Sequence, residues 1–288
     1  MLEFIKFHKW YLTYTGVLLV ESIGIGILCN SYIVASAFFT VMFLYMDCIG
    51  EFCGRFKMRC LTLGEMSDVL GQKTLQAFEY VIKRAEIHSK LVNNIRLYCI
   101  PSDEINAYSF GRKSIAITRG AMSLDPHLIE AVLAHEVGHS INADMFFYRF
   151  LFGNLISFII LLGIWNAFIL GFVIIVGLII ILFSALRLNF VTYQISSWVI
   201  GLLKKMLKMI QTMVLYIGQA IIAIVSRRCE YNADDFSYSL GYGNYLCIFL
   251  SKYAINYEAF KPRTIFEVIY VSHPEPEQRI NRLKEKGV

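Results

Sequence analysis

His135-Glu136-Val137-Gly138-His139 places two imidazoles four residues apart with a carboxylic acid between them. On a helix, side chains at i and i+4 share a face, so both rings can grip one zinc ion while the glutamate stands beside it as a base. A lone buried histidine is usually a packing residue, but two at this spacing around a glutamate are hard to bury unpaired. A metal held there acidifies water, so Glu136 can take its proton at neutral pH and return it to a departing amine. The chemistry indicated is hydrolysis of a peptide bond.

A catalytic zinc needs a third protein ligand and an open position. The extended motif with a third histidine is excluded, because Asn142 and Met145 stand where its glycine and histidine belong. The ligand must come from elsewhere, and Glu230 is the strongest candidate. It follows the last apolar run, and Asp234, four residues on, shares its helical face. Asp234 can then orient a ligand histidine, as metal-bound imidazoles usually require. The competing reading of these acids is a solvated face beside Arg227 and Arg228.

These groups need a scaffold. Asp125-Pro126 offers an N-cap and a proline at the first helical position, and Leu128, Ile129, Val132, Leu133, Val137 and Ile141 then recur at helical spacing to Asn142. From Glu65 to Lys90 the pattern is amphipathic, predicting a helix or a pair broken near Gly71. Ile95–Ile100, Ile105–Phe110 and Ser114–Thr118 read as strands of a small antiparallel meander. The second of these offers an edge to which an extended peptide can add by backbone pairing, with little side-chain selectivity.

Hydrophobic residues make up 57% of the 288, and charged residues only 17%. That is the balance of a chain partly solvated by lipid. The net charge of +5 is modest, and its basic residues flank apolar runs, giving no case for nucleic acid. Seven cysteines, an odd number with no CxxC pair, fit free thiols in a reducing compartment.

Two apolar segments, Tyr11–Leu28 interrupted by Glu21 and Tyr32–Ile49, flank the turn Cys29-Asn30-Ser31. Lys6 and Lys9 precede them and Arg55, Lys57 and Arg59 follow, so both ends of this hairpin are expected at the cytoplasmic face. Ala35-Ser36-Ala37 has the form of a signal-peptidase site but lies inside an apolar run, so the hairpin is expected to remain as an anchor. Phe150–Leu186 is nearly continuous apolar sequence, interrupted by Asn166 and Gly171, and Met209–Val225 is apolar again. If Glu230 is to meet the histidines, the chain between must cross the membrane an even number of times. Either Phe150–Leu186 crosses once and Met209–Val225 returns, placing Lys204, Lys205 and Lys208 outside, or Phe150–Leu186 folds as a hairpin by itself and the rest stays at the cytoplasmic face, which agrees better with the positive-inside rule. The expected organisation is a membrane hairpin at 1–50, a first protease part at 60–149, a membrane region at 150–226 and a second protease part at 227–288.

The stretch from His135 to Met145, hydrophobic spans, and then Ser226 to Asp234 together resemble the membrane heat-shock metalloproteases of the HtpX type, in the superfamily of the CAAX prenyl proteases. Asn106-Ala107 followed by Gly111, Thr118-Arg119-Gly120, and His273-Pro274 with Arg279 resemble further family elements, in consistent order. The resemblance implies an α+β, gluzincin-like fold: a mostly helical zinc-protease domain with a small β-meander, fused to transmembrane helices. It implies one Zn2+ per chain on His135, His139 and Glu230, with Glu136 as general base and Asp234 and Asp144 behind the ligands. Asn106 and Ala107 would hold the substrate backbone, while His273 and Arg279 would bind substrate or steady developing charge. For His273 and Arg279 the competing reading is a capped loop and a helix salt bridge with Glu275.

The function implied is a multi-pass endopeptidase of the cell membrane, its protease domain facing the cytoplasm, cleaving misfolded or surplus membrane proteins. Its partners are polypeptide substrates and the bilayer. A CAAX prenyl protease is the nearest alternative, though that branch usually carries more spans than a chain this short supplies. A proteolytically inactive membrane scaffold or chaperone with a structural metal is the alternative of another class. It would want a fourth protein ligand, and none is evident.

Overall fold

The structure is a computed structural model that describes residues 2–63, 68–87, 90–184, 190–253 and 274–288. Helix α1 (Leu2–Leu28) and helix α2 (Tyr32–Leu44) are joined by a turn in which Asn30 takes a φ of 48°, and the Ser31 hydroxyl caps α2 by accepting the Val34 N–H. Asparagine tolerates that left-handed conformation better than most residues. A π-helical turn at Tyr45–Ile49 leads into α3 (Gly50–Lys57). After β1 (Leu61–Thr62) comes α4 (Val69–Ala85). The Asp68 carboxylate caps α4 by accepting the Gly71 N–H, so the glycine expected to break this region sits inside the first turn of an unbroken helix.

The three expected strands form as β2 (Arg96–Ile100), β3 (Ala107–Ser109) and β4 (Ser114–Thr118), but not as an antiparallel meander. The sheet order is β1-β2-β4-β3, and β2 pairs with β4 in parallel, Arg96 opposite Ser114 through Ile100 opposite Thr118. Thr118 holds the crossover between β2 and β3. Its hydroxyl donates to the Glu104 carbonyl at 2.6 Å and accepts the Asn106 N–H at 3.0 Å, while its own N–H reaches the Asn106 carbonyl. The chain leaving β2 is thereby hooked over the end of β4 and comes down on its far side. There β3 pairs antiparallel to β4 and forms an edge of the sheet.

Short α5 (Arg119–Met122) leads to α6 (Pro126–Asn142), which carries the HExxH residues. Asp125 caps α6 by accepting the His127 N–H, Pro126 opens it, and Ala143 in left-handed conformation (φ 56°) closes it. The helix is buried along almost all of its length, with Ile129, Leu133 and Val137 fully enclosed by α4, the sheet and α9 (Gly243–Tyr253). The last element is α10 (Pro276–Glu285).

Between α6 and α9 run two long helices, α7 (Asp144–Ser184, 41 residues) and α8 (Phe190–Ser239, 50 residues). No hairpin forms inside 150–184, because Asn166 does not interrupt α7: its Nδ2 donates to the Leu162 carbonyl one turn back. The single crossing is therefore the arrangement that agrees with the helix. Among the described residues four helical segments are long and apolar enough to cross a membrane: Tyr11–Leu28, Tyr32–Lys57, Asp144–Ile179 and Ile200–Ser239.

The chain divides into two compact units, Met1–Phe150 with Ile222–Val288, and Leu151–Ile221. In the second, Leu155 packs on Gly218, while Ile160, Trp165, Phe168 and Phe172 are exposed, a surface suited to lipid. All seven cysteines are free thiols.

Thr118 supplies a test of the sheet topology. Thr118→Val keeps the shape but orphans the Asn106 amide and the Glu104 carbonyl, so stability should fall by about 1–3 kcal/mol. Amide exchange should quicken at Asn106 and Ala107 while the β2–β4 pairing stays protected.

Candidate metal centre

Gly138 marks where α8 crosses closest to the metal helix. A Cβ there would lie 3.0 Å from Ala233 Cα and 3.1 Å from Phe236 Cβ, so the glycine lets α8 cross α6 closely, and a side chain would ask the crossing to widen by a few tenths of an ångström. The crossing is fastened beside it by Ser237, whose hydroxyl donates to the Ala131 carbonyl at 3.1 Å. One turn before Ala233 on α8, Glu230 is thereby delivered to the histidine face of α6.

His135 Nε2 and His139 Nε2 lie 3.1 Å apart, and the Glu230 carboxylate oxygens stand 3.4 Å from the first and 3.6 Å from the second. Nitrogen and oxygen ligands held about 2.0–2.2 Å from a tetrahedral zinc are separated from each other by roughly 3.3–3.6 Å. The three side chains therefore fit a metal ion. Among the described residues they are the one group of three or more His, Cys, Asp or Glu gathered this closely.

The outer nitrogens are held as well. His135 Nδ1 meets Asp234 at 2.9 Å and His139 Nδ1 meets Asp144 at 2.7 Å. With each Nδ1–H donating to a carboxylate, both Nε2 lone pairs face inward, the tautomer a ligand needs. Asp144 thus has a definite place, as the first residue of α7 bonded to the last histidine of the motif.

Arg279 on α10 is wholly engaged by acids. Its Nε and Nη2 grip Asp234 at 2.8 and 2.6 Å, and its Nη1 reaches Glu230 at 3.1 Å. Two further pairs on Asp235, with Arg282 at 2.7 Å and Lys286 at 2.6 Å, lay α10 along α8. Glu136 is buried on α6 between the two histidines. Asn106, at the head of edge strand β3, turns its carboxamide to its own neighbours: Oδ1 accepts the Ala107 N–H and Nδ2 donates to the Tyr108 hydroxyl. Ala107 is buried and pairs with Ile117. The other end of β3 touches the metal helix through Ser109 Oγ and Ser140 Oγ, 3.0 Å apart. His273 lies outside the described residues.

Charge explains the protonation of the metal-free site. Burial disfavours the His135 imidazolium, yet the Asp234 and Glu230 carboxylates outweigh it and hold the ring's pKa at about 10. His139 is likewise raised, with burial overcome by Asp144 and then Glu230. Burial of the Arg279 guanidinium is overcome by Asp234 and Glu230, which raise its pKa above the usual value. A site that pulls protons onto its histidines is one that wants positive charge.

The sequence profile of Peptidase family M48 matches residues 72–286. Protease HtpX of Pseudomonas syringae pv. syringae (strain B728a) is 26% identical over 208 residues, covering 65% of this chain and 64% of that protein. The match therefore spans just under two thirds of that relative's length. Protease HtpX of Psychrobacter sp. (strain PRwf-1) is 25% identical over 242 residues, covering 77% of this chain and 73% of that protein. Among solved structures, the crystal structure of S. mikatae Ste24p is 21% identical with a TM-score of 0.48, covering 98% of this chain and 66% of that one.

Two measurements bear on this geometry. Asp144→Asn should weaken metal binding by about 10- to 100-fold, read by competition with a chelator. In chelator-treated protein, the raised His135 pKa contributes stability that is full below the ring's ordinary value of 6.5 and is lost as pH rises through about 10. The melting temperature of the metal-free protein should accordingly drop across that window, and an unchanged value would remove the His135–Asp234 pair from the account.

Proposed function

This chain belongs to Peptidase family M48, and from that premise we propose that it is a multi-pass membrane zinc metalloendopeptidase that cleaves misfolded or surplus membrane proteins at the cytoplasmic face. The observation that carries this reading is the triangle of His135, His139 and Glu230, with both Nε2 atoms turned inward by the acids behind them. A closed structural zinc has four protein ligands, whereas three gather here among the described residues, which supports an open, catalytic position. The His, His, Glu donor set favours zinc over harder ions such as magnesium or calcium.

When bound, zinc supplies a Lewis acid that polarises a carbonyl and acidifies water. Glu136, beside the ligands, takes the proton from the attacking water and delivers it to the departing amine nitrogen. Asp144 and Asp234 hold the two imidazoles in one tautomer and orientation. Arg279 fastens Asp234 and Glu230 in place, and together with His135 it holds the Asp234 carboxyl below its ordinary pKa although burial pushes the other way. Edge strand β3 receives an extended segment of the substrate by backbone pairing, which selects for unfolded chain more than for particular side chains. Ala107 belongs to that edge, with Asn106 fixing its start. The basic residues flanking the first hairpin, Lys6 and Lys9 before it and Arg55, Lys57 and Arg59 after, support the cytoplasmic orientation.

Glu136→Gln tests the mechanism. Cleavage of casein should fall by about 100- to 10,000-fold while zinc stays bound at one ion per chain. Retention of full activity would remove Glu136 as the base. Wild-type enzyme that ignores casein and cuts only a farnesylated peptide would transfer the chain to the prenyl-protease reading. Zinc binding with no proteolysis of either substrate would leave the scaffold reading standing.

A further inference from the structure

Arg149 is a buried arginine, 8% exposed, that the proposed chemistry does not use. It stands near the start of α7 and donates to two backbone carbonyls on different elements: Nη1 to Met46 at 2.9 Å, and Nη2 to Phe110. Each acceptor is unusual. Met46 lies in the π-helical turn, where the Gly50 N–H reaches back to Tyr45 and not to Met46, so the Met46 carbonyl loses its ordinary helical donor. Phe110 is the residue that follows edge strand β3, and its N–H closes the β3–β4 turn on the Ser114 carbonyl at 2.9 Å.

The same turn is tied to the membrane hairpin twice more. Arg112 pairs with Asp47 of the π-helical turn at 3.1 Å, and its guanidinium lies 3.6 Å over the Tyr11 ring of α1. Gly54 on α3 sits under the Phe110 ring, where a Cβ would come within 2.8 Å of Cδ1, and one turn earlier a Cβ on Gly50 would come within 2.6 Å of Arg149 Cδ. Buried Glu51, between those glycines, supplies the counter-charge to Arg149. Arg149 and Gly54 thus meet this turn at Phe110, and Asp47 of the π-helical turn with Tyr11 of α1 holds it at Arg112.

We propose that Arg149 is a positioning residue for substrate, fastening the exit of edge strand β3 to the π-helical turn of the membrane hairpin so that β3 is presented in register to an incoming chain. The inference rests on the reading of β3 as the substrate-docking edge. Ser109 links that edge to the metal helix from one side, and Arg149 fixes its end from the other. Without Arg149 the metal ligands keep all their partners, while the strand that pairs with substrate loses its anchor. Substrate affinity should suffer and the chemical step should not.

The test uses the full chain in detergent micelles, with labelled β-casein as substrate, and compares wild type with Arg149→Lys and with the charge-neutral double variant Arg149→Met, Glu51→Gln. The lysine variant keeps the charge and loses the forked pair of donors, so it preserves the fold if the double variant does not. KM should rise by about tenfold, kcat should stay within about twofold, and zinc content should be unchanged. Amide exchange at Phe110 to Lys113 should quicken by a similar factor. Wild-type KM and wild-type exchange in the lysine variant would overturn the proposal, as would loss of zinc and kcat in parallel with KM, which marks a merely structural arginine. If wild type cleaves no casein, it is the protease reading that fails. Exchange at Phe110 to Lys113 then still decides whether Arg149 anchors the turn.

Discussion

The close crossing of α6 and α8 at Gly138 is the constraint on which the metal centre depends. Two helices carrying ordinary side chains at their contact run about 8–10 Å apart. Here one glycine allows backbone-level approach to Ala233, and the distance saved is what brings a carboxylate from α8 to the two imidazoles on α6. Ligand identity alone does not do this, since Glu230 reaches the histidines across a helix crossing that the absence of a side chain at position 138 keeps close.

Once assembled, the site has an electrostatic problem whose solution is the metal. Glu136, Asp144, Glu230 and Asp234 are all at most 8% exposed, and one guanidinium, Arg279, stands among them. Burying so much negative charge against a single cation is costly unless more positive charge is supplied. In the metal-free site part of that charge comes from a proton on His135, whose pKa the neighbouring carboxylates raise to about 10, while His139 is shifted in the same direction by Asp144 and Glu230. A divalent cation supplies it better, because it also uses the Nε2 lone pairs that the carboxylates behind each ring have aimed at one point. The acids that raise the histidine pKa values are therefore the same acids that favour the metal, and proton and metal compete for one electrostatic demand.

Much of the site was legible from residues alone because its signals are local. Asp125-Pro126, the helical period and the i,i+4 histidines give α6 from Pro126 to Asn142 as observed, and the matching spacing of Glu230 and Asp234 reflects a real shared face. The features that were not legible are those whose cause is non-local or carried by backbone. The parallel pairing of β2 with β4 needs a crossover that brings β3 down on the far side of β4, held by Thr118 to a loop more than ten residues away, and no strand pattern encodes that. The continuity of α7 depends on Asn166 finding a carbonyl one turn back, whereas composition only marks it as a polar interruption. Arg149 reads in sequence as one more basic residue beside an apolar run, because its partners are main-chain carbonyls of any residue type.

The distribution of the groups over the chain has a further consequence. The two histidines and the carboxylates around them lie in one compact unit, but they come from different helices. Asp144 is the first residue of α7, and both Asp234 and Glu230 lie on α8, the two helices whose apolar stretches are long enough to cross a membrane. Only when α7 leaves the left-handed residue Ala143 in its proper direction, and α8 returns to cross at Gly138, do the nitrogens acquire an orientation and the metal an anionic ligand. Completion of the metal centre thus requires the start of α7 and the end of α8 to meet α6 within the first unit, so the HExxH motif by itself does not make the site.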